Sequence, residues 1–432
     1  MAPKPFRRYS VTTPPILTIV TQQIKRRAGI LGAFGYSGAN FVLTFALQLA
    51  IPAGDFGLFA FALVCIQFGI SLSNALFAAP IVVSLVHAED NRLEIIGSYF
   101  RANLLFIGLG ALALATALFA LGMSSHLILV VIFQAAALWL RWFFRAVELA
   151  EQRFAIAAMT DFIYGIVALC AGGIFFLLLG VDEFNTLCAM AAGALASALL
   201  VGRDMLPAVF YRSRSALRLY SVAFLLHGRW ALLGVVTTEV MANLHVYALT
   251  LFLGPSSFAP VATLSLFFRS IPILMQAITQ YERPVLARAF KERDLIKMRH
   301  DVRNIHAILN CAVGINVLGI ALLIVYFPSL IGNGQYPQST LWPVLILLAL
   351  GQLVRGQRTG SSAALQGAGQ YQSLAFVTVK AAPVTLLGTV LAIFFGWQAV
   401  ASVLFAVLVG EVVTFVLINQ LYRKMLTEEV SS

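Results

Sequence analysis

Six of the gaps separating twelve apolar segments contain none of the chain's 29 Lys and Arg residues. These gaps are 52–56, 123–126, 181–186, 254–257, 332–340 and 396–398, and their only carboxylates are Asp55, Asp182 and Glu183. The intervening gaps carry the basic residues. Lys4, Arg7, Arg8, Lys25, Arg26 and Arg27 precede the first segment, and Arg92 and Arg101 follow the second. Arg203, Arg212, Arg214, Arg218 and Arg229 lie midway, and a run from Arg283 to Arg303 comes later. Lys and Arg stay on the cytoplasmic side of short membrane loops, so this alternation predicts an even number of crossings with both termini inside. The predicted spans are 29–51, 57–84, 103–122, 127–147, 157–180, 187–202, 230–253, 258–280, 305–331, 341–360, 372–395 and 399–421. Most match the ~20 residues a helix needs to cross the hydrocarbon core. Backbone in lipid must satisfy its own hydrogen bonds, so every span is read as helix, including the one containing Pro80.

Composition supports the same class. A chain of 432 residues that is 60% hydrophobic and 11% charged cannot form a water-soluble globule. Its net charge of +11 would suggest nucleic acid in a soluble protein. Here it is accounted for by the loop bias and by attraction to anionic membrane lipids, and no nucleic-acid partner is expected. Cys65, Cys170, Cys188 and Cys311 lie in apolar segments without metal-ligand spacing and are read as small buried hydrophobes. No metal or cofactor is expected.

The domain reading is a cytoplasmic arm (1–28), a first lobe (29–202), an inner linker (203–229), a second lobe (230–421) and a short tail (422–432). Shifting the sequence by 202 residues superposes Leu31, Gly32, Ala46, Leu47, Leu49, Phe56 and Ala60 on Leu233, Gly234, Ala248, Leu249, Leu251, Phe258 and Ala262. The matches span a helix, its tight turn and the next helix, which argues for a duplicated six-helix unit. Six helices per repeat insert both halves the same way up, an arrangement found among secondary transporters.

The first hairpin reads ANFVLTFALQLAIPAGDFGLFAFALVCIQFGISLSNALFAAPIV, with the pattern P-x-x-[DE]-F-G-x-[FY] at its turn. Together with GPSSFAPVATLSLFFRSIPI and YERPVLARAF in the second half, it resembles the polysaccharide exporters of the multidrug/oligosaccharidyl-lipid/polysaccharide (MOP) flippase superfamily. The resemblance implies an all-α fold of twelve transmembrane helices in two six-helix lobes facing a V-shaped cavity. It implies as substrate an isoprenoid pyrophosphate-linked oligosaccharide, moved from the inner to the outer leaflet of a bacterial inner membrane. Polysaccharide polymerase and export machinery are partners it suggests. Loop 85–102 lacks the G-x-x-x-D-R-x-G-R-R pattern of major facilitator transporters, and no G-x-x-x-x-G-K-[ST] loop supplies an ATP motor.

Four ionisable residues sit well inside the spans, all in the second half: Glu239, Arg269, Lys380 and Glu411. A charge at mid-bilayer costs about 2.5–3.5 kcal/mol on insertion scales, so each must face a partner or a wet cavity. Two readings are open. Glu239 pairs with Arg269 and Lys380 with Glu411, leaving neutral internal bridges. Alternatively Arg269 and Lys380 line a cavity for a pyrophosphate, with Glu239 and Glu411 as charge-balancing or ion-coupling acids. Arg355 and Arg358, at i and i+3, either reach the head groups or form the cytoplasmic mouth of the cavity. Arg141 and Arg145, beside Trp139 and Trp142, read as interfacial anchors, and Asp161 reads as lying near a helix end. Asn40, Gln48, Gln67, Ser71 and Asn74 read as interhelical hydrogen-bonding groups or as a sugar-facing surface.

The rival functions are an antiporter of the same fold expelling organic cations, as multidrug (MATE-like) transporters do, and a membrane polysaccharide polymerase. The antiporter would want cavity acids without matching bases. The enzyme would need a sizeable surface loop carrying catalytic groups, and Asp55, His126, Asp182 and Glu183 sit on turns too short to build one.

Overall fold

Short polar turns between long apolar runs produce a chain of helices with no strand among the described residues. The computed structural model describes residues 32, 35–86, 91–151, 153–210, 220–221, 224–225, 229–395 and 399–431. The N-terminal arm, most of the inter-lobe linker and the gap 396–398 lie outside them.

Twelve long helices follow in chain order among the described residues. The first half contains α1 (35–50), α2 (Ala53–Ser73, continued by Asn74–Ala78 and Ala79–Val86), α3 (Arg92–Ala120), α4 (Ser125–Ala150), α5 (Phe154–Leu178) and α6 (Glu183–Val209). The second contains α7 (Arg229–Leu253), α8 (Pro255–Phe267 and Ser270–Lys291), α9 (Leu295–Tyr326), α10 (Gln338–Gly367), α11 (Tyr371–Phe395) and α12 (Ala399–Ser431). Ten of these helices are long and apolar enough to cross a membrane singly, and α8 makes an eleventh as a bent pair. Helices α2 and α8 start at 53 and 255, the 202-residue offset of the sequence repeat.

Several helices run past the predicted spans on the basic face. Helix α9 begins at Leu295 rather than 305, and α12 continues through Ser431 rather than stopping at 421. Their extra turns are amphipathic and share a core: Leu286, Met298, Val302, Ile305, Tyr422 and Met425 are buried together.

Proline sets the two irregularities. Pro80 has no N–H to offer the Leu76 carbonyl, and the turn over Asn74–Ala78 widens to a π-helix. Pro272 cannot bond Phe268, and α8 breaks there with a 54° bend. The carbonyl of Phe267, freed at the break, accepts from Asn316 Nδ2 of α9 at 3.1 Å.

The buried apolar residues show how the halves meet. One core cluster spans both, with Phe56, Phe59 and Ala62 of α2 sharing it with Leu249 of α7 and Phe258 of α8. Towards the basic face this divides into two separate clusters. One is around Phe77, Tyr99, Phe143 and Met205 of the first half, and the other is the Leu286–Met425 cluster of the second. The halves thus share one core at the face that lacks Lys and Arg and have separate cores towards the basic face, where α2 and α7 remain in contact. Gly57 makes the junction close: a Cβ there would lie 2.0 Å from the Pro255 carbonyl oxygen. Gln335 latches it, its Oε1 accepting from Ala53 N at 2.8 Å and its Nε2 donating to Ile51 O at 3.0 Å. The preceding Gly332, Asn333 and Gly334 all have positive φ (56°, 52°, 72°), a left-handed turn that Gly and Asn tolerate and that aims Gln335 across the junction. Gln48 Nε2 adds a bond to Leu330 O at 3.3 Å.

Large side chains such as Leu177 (88% exposed) and Phe395 (82%) point away from the protein. Exposed apolar surface on this scale fits a lipid solvent.

Candidate functional site

Counting 1.5 Å per residue from the helix ends at the Lys/Arg-free face, Glu239, Arg269, Arg355 and Glu411 all lie about 18–26 Å deep. The fold gathers three of them around one cavity of about 250 Å³. Arg269 stands at the break of α8, Arg355 comes from α10 and Glu411 from α12, while Asn243 and His245 of α7 and Val64 of α2 complete the lining.

Neither internal bridge read from the sequence forms among the described residues. Glu411 instead takes both arginines of α10. Its Oε1 accepts from Arg355 Nε at 2.9 Å and its Oε2 lies 2.7 Å from Arg358 Nη1. The reason is lateral packing: α12 lies against α10 as well as against its sequence neighbour α11. Arg355 also donates to Ala242 O of α7 at 3.2 Å, tying three helices together. Arg358, on the far side of Glu411, lines a small adjoining recess with Thr238, Thr378, Thr385 and Thr414. The two arginines therefore neither snorkel to the surface nor stand as a separate cytoplasmic mouth.

Glu239 is satisfied without a cation. It accepts from Ser71 Oγ of α2 at 2.8 Å and from Asn243 Nδ2 at 3.1 Å. The first of these bonds crosses between the halves. Arg269 has no ion pair among the described residues. It borders the cavity half-buried. Lys380 is elsewhere: exposed, on the face of α11 opposite buried Ala381 and Thr385, and not part of the cavity lining. It shares its face with exposed Phe376 and Leu387.

The charge balance follows directly. Among the described residues, Arg269, Arg355 and Arg358 are balanced here by Glu411, and counting Glu239 still leaves one positive charge in excess. An excess guanidinium in a low-dielectric cleft attracts anions, and its planar fork matches phosphate oxygens in pairs.

The first half carries a charge cluster that the sequence reading placed at the interface. Arg141 is fully buried and pairs with Asp161, itself 2% exposed, while Arg145 reaches the same carboxylate at 3.2 Å. The Arg141 guanidinium lies over the rings of Tyr36 (4.9 Å), Tyr164 (5.0 Å) and Trp142 (5.6 Å). Tyr164 Oη donates to Asn40 Oδ1 at 2.8 Å, and Asn40 Nδ2 donates to Tyr36 O at 2.9 Å. Arg141 and Asp161 are thus core groups, not interfacial anchors or helix-end residues. The available signal was symmetry: 141 and 161 are equidistant from the turn at 151, so the antiparallel pair α4–α5 must bring them level. Of the polar residues of α2, Gln67 and Asn74 are exposed beside Ser71 on the face turned to α7, whereas Asn40 and Gln48 of α1 are buried.

No protein-family model matches the sequence, and neither does any curated protein. Similarity appears in three dimensions. The inward-facing form of a multidrug resistance MATE transporter of the MOP superfamily superposes over 92% of this chain and 96% of its own, with a TM-score of 0.67 at 14% identity. The MATE multidrug transporter DinF-BH, solved as a complex, matches over 98% of both chains with a TM-score of 0.62 at 15% identity. A MOP superfamily transporter from Pyrococcus furiosus Vc1, described by a reverse polarity of its binding pocket suggesting a different function, matches over 96% of both chains with a TM-score of 0.59 at 15% identity. The chain is a multi-pass membrane protein with the fold of the MATE transporters of the MOP superfamily.

Proposed function

We propose that this chain is an alternating-access transporter for an anionic amphiphile, and that its cargo is an isoprenoid pyrophosphate-linked oligosaccharide moved outward across a bacterial inner membrane. The observation that carries the reading is the cavity's charge: Arg269 and Arg355 line it with Glu411, which is shared with Arg358 behind it, and Arg269 is bound to no carboxylate among the described residues. With the basic face and both termini cytoplasmic, the cleft opens inward. The pyrophosphate would enter towards Arg269 and Arg355, and the isoprenoid tail would stay in lipid between the halves. Rocking about the Gly57–Pro255 junction would then expose the head group outside. An inside-negative potential favours outward movement of net negative charge, by about 2.3 kcal/mol per elementary charge per 100 mV.

A second reading, an antiporter for organic cations, is favoured by the multidrug transporters among the structural neighbours and by Glu239, a carboxylate at the cleft without a cationic partner among the described residues. The structural neighbours support it better than they support the first. The Pyrococcus furiosus transporter supports the view that pocket polarity varies on this fold.

Gene deletion in the host separates the two. Accumulation of pyrophosphate-linked oligosaccharide on the cytoplasmic leaflet, with loss of surface polysaccharide, is expected. Unchanged polysaccharide with increased sensitivity to cationic dyes would replace the flippase reading by the antiporter.

A further inference from the structure

The hydrogen bonds around Glu411 leave its two arginines in unequal states. Both carboxylate oxygens are engaged, Oε1 by Arg355 Nε and Oε2 by Arg358 Nη1. Arg355 uses Nε on Glu411 and one Nη2 hydrogen on Ala242 O. Its remaining N–H groups belong to a side chain that borders the cavity together with Arg269. A guanidinium has five N–H donors and binds a carboxylate or phosphate best through a paired edge. The Nε edge of Arg355 is held by Glu411. A phosphate at Arg269 that takes this edge must draw it off the carboxylate. Glu411 is well placed to contest it, being 7% exposed at the border of both the cavity and the recess behind it.

Resting on the anionic-cargo reading above, we propose that Glu411 competes with the transported anion for Arg355. It weakens capture of the anion and speeds its release. The carboxylate and the phosphate offer Arg355 equivalent acceptors, so the exchange replaces one charge-assisted pair by another and leaves neither guanidinium nor carboxylate stranded. Arg358 keeps one hold on Glu411 throughout, which fixes the carboxylate in place to retake Arg355. Arg269 has no such rival among the described residues and is the first point of capture. Glu411 is thus a positioning residue that sets affinity against turnover.

The test uses the full chain in nanodiscs titrated with farnesyl pyrophosphate, with transport of a fluorescent isoprenoid pyrophosphate measured in proteoliposomes. E411Q keeps the shape of the side chain and removes its charge. It should bind about tenfold tighter, the size of one charge-assisted hydrogen bond no longer contested, and KM and kcat should fall together. The double variant R358Q/E411Q restores the wild-type net charge of the cavity. It too should bind more tightly, and it carries the test should E411Q fail to fold with its arginines unneutralised. Wild-type or weaker affinity in E411Q would overturn the proposal. So would tight binding by E411Q that returns to the wild-type value in the double variant, since affinity would then follow overall charge and not competition for Arg355. Failure of the anionic reading itself looks different: neither the wild type nor R269Q would bind farnesyl pyrophosphate, while the wild type would bind a cationic rhodamine dye.

Discussion

Replacing Gly57 by alanine should force apart the two halves at the face where they meet. A Cβ at position 57 would lie 2.0 Å from the Pro255 carbonyl oxygen and 2.7 Å from its carbon. Both are backbone atoms at the start of α8, so no side chain can swing aside. Restoring ordinary contact near 3.4 Å requires α2 to retreat by 1.4 Å. That displacement carries Ile51 and Ala53 out of hydrogen-bond reach of Gln335, which holds them at 3.0 and 2.8 Å. Two hydrogen bonds at about 0.5–1.5 kcal/mol each, with overpacking of about 1–3 kcal/mol, set the destabilisation of this state at roughly 2–6 kcal/mol. A two-state equilibrium would shift at least about thirtyfold, and by roughly ten-thousandfold at the upper end. Alanine improves the helix propensity of α2 itself by about 0.8–1 kcal/mol, so fraying of the helix cannot mimic the effect.

The assay is electron-electron distance measurement between nitroxides at S124C and S339C, both exposed at this face on opposite halves, with Cys65, Cys170, Cys188 and Cys311 replaced. The G57A distribution should move to longer distance. An unchanged distribution would refute the claim that this contact closes the junction.

D161N leaves the fully buried Arg141 without its counter-charge and should cost about 3–5 kcal/mol. R145Q, at a side chain 16% exposed, should cost about 1 kcal/mol or less, and thermal unfolding in detergent compares the two. P272A returns an N–H to the α8 break. It should reduce the 54° bend and displace Arg269, lowering transport in proteoliposomes while thermal stability holds or rises. K380Q should leave transport within about twofold of wild type, because Lys380 stands on the outer face of α11, away from the cavity, where a long side chain can reach towards water.

The sequence was most legible along the chain and least legible across it. The turns at 52–56 and 254–257 lie where Lys and Arg are excluded, because the energetics of insertion write themselves locally. The bend of α8 at Pro272 is equally local, since a missing N–H acts within one turn. Which helix stands beside which is decided by packing across the bundle, and that signal is diffuse. One of the two open readings pairs Glu411 with Lys380 on the adjacent α11, yet α12 also lies against α10, and Arg355 and Arg358 reach it first. The same reading pairs Glu239 with Arg269, whereas its partners are the hydroxyl and amide donors of Ser71 and Asn243. Lys380 illustrates the converse, as a charge within an apolar span need not face inward. The Gln335 latch was hidden because its partners are backbone groups 282 and 284 residues away, which carry no side-chain signature.

The central claim is that a guanidinium without a carboxylate partner in the cleft recruits an anionic head group for transfer between leaflets. Its most direct test is leaflet-to-leaflet transfer of a fluorescent isoprenoid pyrophosphate-linked oligosaccharide in proteoliposomes carrying wild type or R269Q at matched protein content. The account predicts transfer by the wild type well above that of protein-free vesicles, and near-background transfer by R269Q with its thermal stability retained. Equal transfer by the two proteins would contradict it.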